Sequence, residues 1–506
     1  MMYKKYVISL IFLCYAVICC GRKVSPIDFG LLDAVDGGQR YEVLLKTHNE
    51  AIKRHVGVTY KGLKKINIEV PPNAKSIPLT QYTDFAGVEL VVENNEQDFV
   101  LFRMSQKSNP LDLTKRTFLS DNFTQVTELH DDYSLLIIED ETPWVKNRKG
   151  YSYGAQRRDI VLLKEGVAQN KPVQGYATDI SHPVFKYCKV TSTPKIIKNL
   201  IFTRTKKSTY KTFLLFINNQ NNVSLNNIVV NTPAGDMIGD RAIKITNCTN
   251  VTFEDVTING TYSTERKSGY GISLNNVWNT VFVRLTGEGD WGIFGNNNIN
   301  TVHMSESEIN RFDIHCYGKD IFFENCKFRD LYNQFSSIYG TISFSKCEFF
   351  DFTPVLFEPS YNAYTKFDLK FKNCIIHARS DKNWLISAGE LRGENTDGRL
   401  ELSKQEYPNL YINGLKIDMP DNSDVYYLYK FKKKLFQSPF NNVPGIIQIK
   451  NVNFTTLGKK LDYVNPISWM TALEVGVLSL AGSGLAASGV AAYHRFKKKN
   501  KNHCLV

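Results

Sequence analysis

The chain has 506 residues, 42% hydrophobic and 12% aromatic, which is enough apolar material for a large core and excludes an overall disordered protein. Its formal net charge of +12 gathers at the two ends, in Lys4 and Lys5 and in Arg495, Lys497, Lys498, Lys499 and Lys501, leaving about +5 between them. That remainder is too small and too dispersed for a nucleic-acid-binding stripe, so no nucleic acid partner is expected.

The start, "MMYKKYVISLIFLCYAVICCGRK", sets two lysines before an apolar run and predicts a signal peptide over residues 1–20. The "AVICCG" ending leaves lipoprotein processing at Cys19 or Cys20 as a second route, although neither follows a small residue. An exported chain with ten cysteines would ordinarily hold disulfides. Residues 24–125 carry short β patterns and an apolar stretch, a β lead-in and cap. Over residues 126–198, "YSLLIIEDE", "RDIVLLKEG" and "PVFKYCKV" read as ordinary strands, an irregular β region or the first rungs of a coil.

From 199 to 460 one pattern recurs: apolar, x, apolar, x, x, apolar, x, apolar. It appears as "VSLNNIVV" from Val223, "VTFEDVTI" from Val251, "VHMSESEI" from Val302 and "IFFENCKF" from Ile321. It continues as "ISFSKCEF" from Ile342, "LKFKNCII" from Leu369, "LYINGLKI" from Leu410 and "IQIKNVNF" from Ile447, with a weaker copy, "VFVRLTGE", from Val281. Two residues of period two, a two-residue break and a second such pair make a strand, a bend and a strand. A spacing near 20 residues is one turn of a coil of stacked parallel strands, and longer spacings are turns with inserted loops. Asn at the bends suits corners, because it tolerates left-handed backbone. Cys326, Cys347 and Cys374 share the slot that Ile228, Val256, Leu415 and Val452 fill elsewhere, so they are expected as stacked core thiols. Between 380 and 440 the turns carry long insertions, and "YYLYKFKKKLFQ" there is either a loop over the coil or a surface that meets lipid or polymer.

Residues 467–493 contain one charge, Glu474, and are long enough to span a bilayer as a helix. Trp469 and Tyr493 mark the interfaces, and the basic tail 494–506 would stay cytoplasmic, leaving the bulk of the chain outside. Gly484, Ser488 and Ala492 would admit a close helix partner, although a lipid-facing anchor is the simpler reading. The membrane is therefore an expected partner through this helix.

The repeat resembles that of the right-handed parallel β-helix proteins, the pectate-lyase-like superfamily, and the lead-in is similar to that of bacterial envelope proteins that process polysaccharides. The resemblance implies an all-β fold: a right-handed parallel β-helix solenoid with an N-terminal β cap region, here joined to a C-terminal transmembrane helix. It also implies a working groove on an outer sheet. Counting back from each repeat gives the strand "RFDIH", with Phe312 and Ile314 inward and Arg311, Asp313 and His315 outward. By the same count Ile293 and Ile272 face in, and Phe294, Asn296 and Asn275 face out, leaving a hollow of small and amide residues. Glu288, Asp290 and Trp291 in "GEGDWG", with Lys267 and Tyr270 in "ERKSGYG", lie just ahead of this sheet.

Carboxylates, an imidazole, an aromatic platform and amides suit a sugar. Candidate catalytic residues are Asp313, His315, Arg311, Asp290 and Glu288. Trp291, Asn296, Asn275, Tyr270 and Lys267 are candidate substrate-binding residues. Asp313 and His315 would form an acid/base pair with Glu288 or Asp290 as second carboxylate, or a base and a cation acting on a uronate. The pectate-lyase Arg-x-Pro-x-x-Arg run and the polygalacturonase set are missing, so those activities are not carried over. No zinc-site spacing occurs, and "GDMIGDR" has the wrong glycine spacing for a phosphate loop. Calcium stays open as a cofactor, since its oxygen ligands leave little spacing signature. Six Asn-x-Ser/Thr sequons, at Asn122, Asn222, Asn247, Asn250, Asn259 and Asn453, are discounted as products of an Asn-rich coil in a chain read as bacterial. The leading expectation is a cell-envelope glycoside hydrolase or polysaccharide lyase acting on a complex or acidic glycan. The alternatives are a non-catalytic glycan-binding or adhesion protein and a structural surface protein.

Overall fold

The computed structural model describes residues 22–464, apart from 95–97, 114–124, 127, 146–154, 173–182, 206–211, 233–241, 261–269, 289–291, 330–331, 337, 351–352, 358–365, 380–382, 389–407 and 432–445. The repeat becomes a coil of parallel strands in which each turn pairs with the next. Val223 pairs with Val251, Thr280 with Val302, Ile321 with Ile342, and Leu369 with Leu410. A compact turn has three short strands, as in Asn333–Phe335, Ile338–Ser345 and Glu348–Phe350.

The break in the repeat has one backbone cause. Its fifth residue is left-handed in every copy: Asn227, Asp255, Arg284, Glu306, Asn325, Lys346, Asn373 and Asn451 have φ of 51–55°, and Gly414 has 83°. One left-handed residue turns the chain so that the slots on both sides of it point inward. The same marker corrects the weak copy. Arg284 is its left-handed residue and Thr280 pairs with both Val251 and Val302, so that copy starts at Thr280, one residue before Val281.

Inward slots stack aromatic on aromatic. Phe323 lies on Phe344 at 4.9 Å, Phe344 on Phe371 at 5.2 Å and Phe328 on Phe349 at 5.1 Å, all close to parallel. Such pairs add about 0.5–1.5 kcal/mol each beyond their buried area. Cys326, Cys347 and Cys374 are buried free thiols in consecutive turns. The Cys347 sulfur donates to Phe323 O at 3.6 Å, and burial pushes this thiol well above its usual value, so it stays protonated. Cys188 and Cys248 are also buried and free.

The corners are tied by asparagine ladders. Asn279 donates to Asn250 at 2.6 Å and Asn250 to Asn221 at 2.9 Å; Asn276 donates to Asn247 at 2.9 Å and Asn247 to Asn219 at 3.2 Å. Asn250 and Asn247 are left-handed, at φ 54° and 49°. The amide nitrogens of these two sequon residues, which a glycan would occupy, are thus committed to the ladder. Asn250→Ala should destabilise the coil by about 1–3 kcal/mol, because it orphans a partner and removes the polar side chain that lets a residue with a β-carbon hold left-handed backbone. Asn250→Gly should recover the backbone share; equal losses for the two in urea unfolding would contradict this account.

Two further parts flank the coil. Strands Asn109–Leu111, Ser134–Val145, Ala155–Lys164, Val167–Ala168 and Pro183–Lys189 form a separate antiparallel sheet. Its Asp159 carbonyl accepts from Asn276 of the coil at 3.2 Å. The N-terminal end carries an α-helix, Gly37–Lys53, where strands alone were expected. Asp36 caps it by accepting the Gln39 amide at 2.7 Å, and Tyr41, Leu44, His48 and Ala51 form one buried face. That helical spacing is present in the chain, but a β reading of the whole lead-in passes over it. Inside, His48 Nε2 meets the Tyr60 hydroxyl at 2.9 Å.

The leader 1–20, the spanning segment 467–493 and the tail 494–506 lie outside the described residues. Among the described residues no helix is long and apolar enough to cross a membrane.

Candidate functional site

The strand opening at Asp313 alternates as its sequence requires. Phe312 and Ile314 enter the core, and Arg311, Asp313 and His315 leave from the opposite face. Facing outward has not left the first two exposed: Arg311 and Asp313 side chains are 1% and 0% accessible, and His315 is 12%.

Neighbouring turns supply the cover. Arg311 Nε donates to Asp313 Oδ1 at 2.5 Å, and its Nη2 donates to Gln334 Oε1 of the next turn at 2.6 Å. Its guanidinium lies 4.7 Å from the centre of the Tyr332 ring. On the other side the Arg311 stem fills the space beside Gly292, where a β-carbon would come within 3.0 Å of it. Burial opposes the guanidinium charge, but Asp313, with lesser help from Tyr332 and Tyr270, outweighs it and raises the Arg311 pKa above its ordinary value.

His315 escapes this roof because of a β-bulge. Asn296 pairs with Ile314 and Asn297 with Cys316, so His315 is an extra residue with no opposite number. Bulges re-aim side chains in this way and gather beside functional sites. His315 Nε2 then lies 3.1 Å from the Tyr270 hydroxyl and 3.6 Å from Asp313 Oδ2. Tyr270 reaches this position by crossing Gly295, where a β-carbon would stand only 2.2 Å from its ring. The expected hollow of small residues exists, but Tyr270 and Arg311 occupy it.

Asp313 Oδ2 is buried and accepts no hydrogen bond among the described residues. It is a carboxylate backed by arginine and aimed at an imidazole. That arrangement orients the His315 ring. Within this cluster Tyr270 is 9% exposed and the His315 side chain 12% accessible, whereas Arg311 and Asp313 are covered.

The remaining candidates fall in several environments. The facing inferred around Gly292–Asn296 is corrected: Phe294 points inward, its ring 5.2 Å from Phe282 and 4.8 Å from Phe312. Asn296 shares the inward register of Ile314 and is fully buried, its Oδ1 accepting the Leu274 amide at 3.2 Å. Ile293 is buried too, so its apolar character did not reveal which neighbour stacks in the core. Asn275 is half-buried and pairs with Asn297 beside the bulge. Glu288 is exposed, and its amide donates to Ile258 O at 3.1 Å. Asp290, Trp291 and Lys267 lie outside the described residues. Gln334 and Tyr332, which complete the cover of Arg311, were missed because they come from the adjacent turn. Among the described residues no cluster of His, Cys, Asp and Glu has the makings of a metal site.

The coil and its surface define the class: the chain is a right-handed parallel β-helix. No family model and no curated protein matches it. Among solved structures it is similar to the Gp54 tailspike of Acinetobacter baumannii bacteriophage AP22 in complex with A. baumannii capsular saccharide. Identity there is 13%, with 88% of this chain and 77% of that chain covered and a TM-score of 0.54. It is also similar to the tailspike gp61 of Pseudomonas phage phi297, at 10% identity, with 88% and 82% covered and a TM-score of 0.50. Both likenesses are of fold.

Proposed function

We propose that this protein is a carbohydrate-active β-helix of the cell envelope that acts on an acidic glycan through Tyr270 and His315. The observation that carries this reading is the bulge that lifts His315 out of the covered row and sets it against the Tyr270 hydroxyl. An acid and a base in contact suit removal of the proton α to a uronate carboxylate. His315 would take that proton, the bond to the glycosidic oxygen would break as the double bond forms, and Tyr270 would give its proton to the departing oxygen. This elimination fits better than hydrolysis by two carboxylates, because Asp313 is sealed and salt-bridged and does not reach a glycosidic oxygen. The saccharide held by the AP22 tailspike on the same fold supports a glycan as substrate class.

A second reading, binding without chemistry, is favoured by stacked rings on the outer faces. His303 lies on Phe322 at 4.9 Å, and Phe350 on His377 at 4.6 Å with the Arg329 guanidinium 4.2 Å from the Phe350 ring centre. Such stripes offer platforms to sugar rings. The predicted leader and spanning segment would hold the coil outside the membrane in either case.

Incubating the full chain with acidic and neutral glycans, while following binding, reducing ends and new double bonds, tests these readings. Unsaturated products from acidic glycans are expected. Reducing ends without unsaturation would replace elimination with hydrolysis, and binding without either would favour the second reading. Neither binding nor turnover across the panel would overturn both.

A further inference from the structure

Lys195 departs from the rule of the coil. It pairs in register with Val223 and opens one more copy of the repeat, "KIIKNLIF", whose fifth residue Asn199 is left-handed at φ 60°. Lys195 therefore stands in the first inward slot, which Val, Ile, Leu or Thr fills in the other copies. It is 4% exposed. Its Nζ donates to Asn221 O at 2.7 Å, Thr191 Oγ1 at 3.1 Å and Thr191 O at 3.2 Å, all neutral acceptors. A buried cation without a counter-charge is costly, and burial lowers this ammonium to a pKa of about 8.

The same lysine lines a cavity of about 700 Å³ between the end of helix Gly37–Lys53 and the first turns of the coil. His55, Arg103, Tyr82, Gln106 and Gln220 also line it, and no Asp or Glu does among the described residues. The Arg103 guanidinium stacks on Phe216 at 4.8 Å, with Nε 3.5 Å from Ser76 Oγ, so its described partners are neutral as well. The Lys23 ammonium lies 4.4 Å from the centre of the ring of Tyr82, one of the lining residues. Asp84, behind Tyr82, is matched by Lys198 at 3.4 Å. The volume lies in the range of small-molecule pockets, about 300–1,000 Å³.

We propose that this cavity binds a carboxylate-bearing sugar, a uronic acid residue or the acidic end of a short glycan. The cations supply what a carboxylate needs, while the side-chain amides of Gln106 and Gln220 suit sugar hydroxyls. A bare anion would use the first set and leave the second idle. The site lies several turns along the coil from Tyr270 and His315 and does not depend on their chemistry.

Calorimetric titration of the full chain with D-glucuronate, D-glucose and acetate tests the proposal. Glucuronate should saturate one site at least about tenfold more tightly than either comparison, as charge-assisted hydrogen bonds imply. Lys195→Met and Arg103→Gln should each weaken it about tenfold or more by the same measure. Lys416→Gln, an exposed change on a distant turn of the coil, should leave it unchanged. Glucose or acetate binding as tightly as glucuronate would overturn the assignment, and so would loss of binding in Lys416→Gln. Arg103 is exposed, so Arg103→Gln is expected to fold. Unaltered affinity in that variant would overturn the proposal whatever Lys195→Met does to stability.

Discussion

His315→Ala should cut turnover of the responsive glycan about 10²- to 10⁴-fold, the usual weight of a positioned acid or base. Its unfolding midpoint should fall modestly, because the imidazole is 12% accessible and meets the Tyr270 hydroxyl. Tyr270→Phe keeps the ring over Gly295 and removes only the hydroxyl that meets His315 Nε2 at 3.1 Å. A comparable loss in kcat is expected there, with KM little changed, since the hydroxyl is asked to act in the transition state. Wild-type rates in both variants would remove Tyr270 and His315 from the chemistry and leave the outer ring stripes as the working surface. Measuring binding alongside turnover separates the cases: variants that bind normally without turning over identify acting groups, whereas variants that lose binding identify a platform.

The second large effect is on stability. Asp313→Asn or Asp313→Ala leaves the Arg311 guanidinium buried without its counter-charge, and breaking a buried pair from one side costs about 3–5 kcal/mol. Arg311→Met should cost a similar amount, since it strands the carboxylate. The double variant Arg311→Met/Asp313→Leu removes both charges and should recover much of either loss, because the desolvation cost disappears with them. A double-mutant cycle on urea unfolding measures this, and additive losses would show that the pair is not coupled. Asp313 variants are also expected to lower turnover through the orientation of His315. The signature is a changed pH profile of kcat, which a purely structural role would leave in place.

The features behind these effects differ in how legible they are in the chain. The octet made the inward slots readable, because left-handed residues at Asn227, Asp255 and Asn325 impose the same break wherever it occurs. The thiols of Cys326, Cys347 and Cys374 were readable for the same reason. Phe294 was misplaced because Ile293 is equally apolar, and nothing local says which of two adjacent apolar residues stacks on the next turn. Lys195 hid its copy of the repeat, since a pattern defined by apolar slots does not find a cation in the first one. The helix Gly37–Lys53 was missed because the lead-in was read only for strands.

Taken alone, the sequence determined the coil, its bends, its core thiols and the alternation that sets Arg311, Asp313 and His315 on one face. Those are local properties, carried by side-chain period and by residues that accept left-handed backbone. Only the tertiary structure decided that Arg311 and Asp313 are covered while His315 remains reachable. Tyr270, Gly292, Gly295, Tyr332 and Gln334 come from neighbouring turns, and the bulge at His315 arises from pairing between turns. Burial of an outward side chain depends on what the adjacent coils place over it, and no periodicity within its own strand records that.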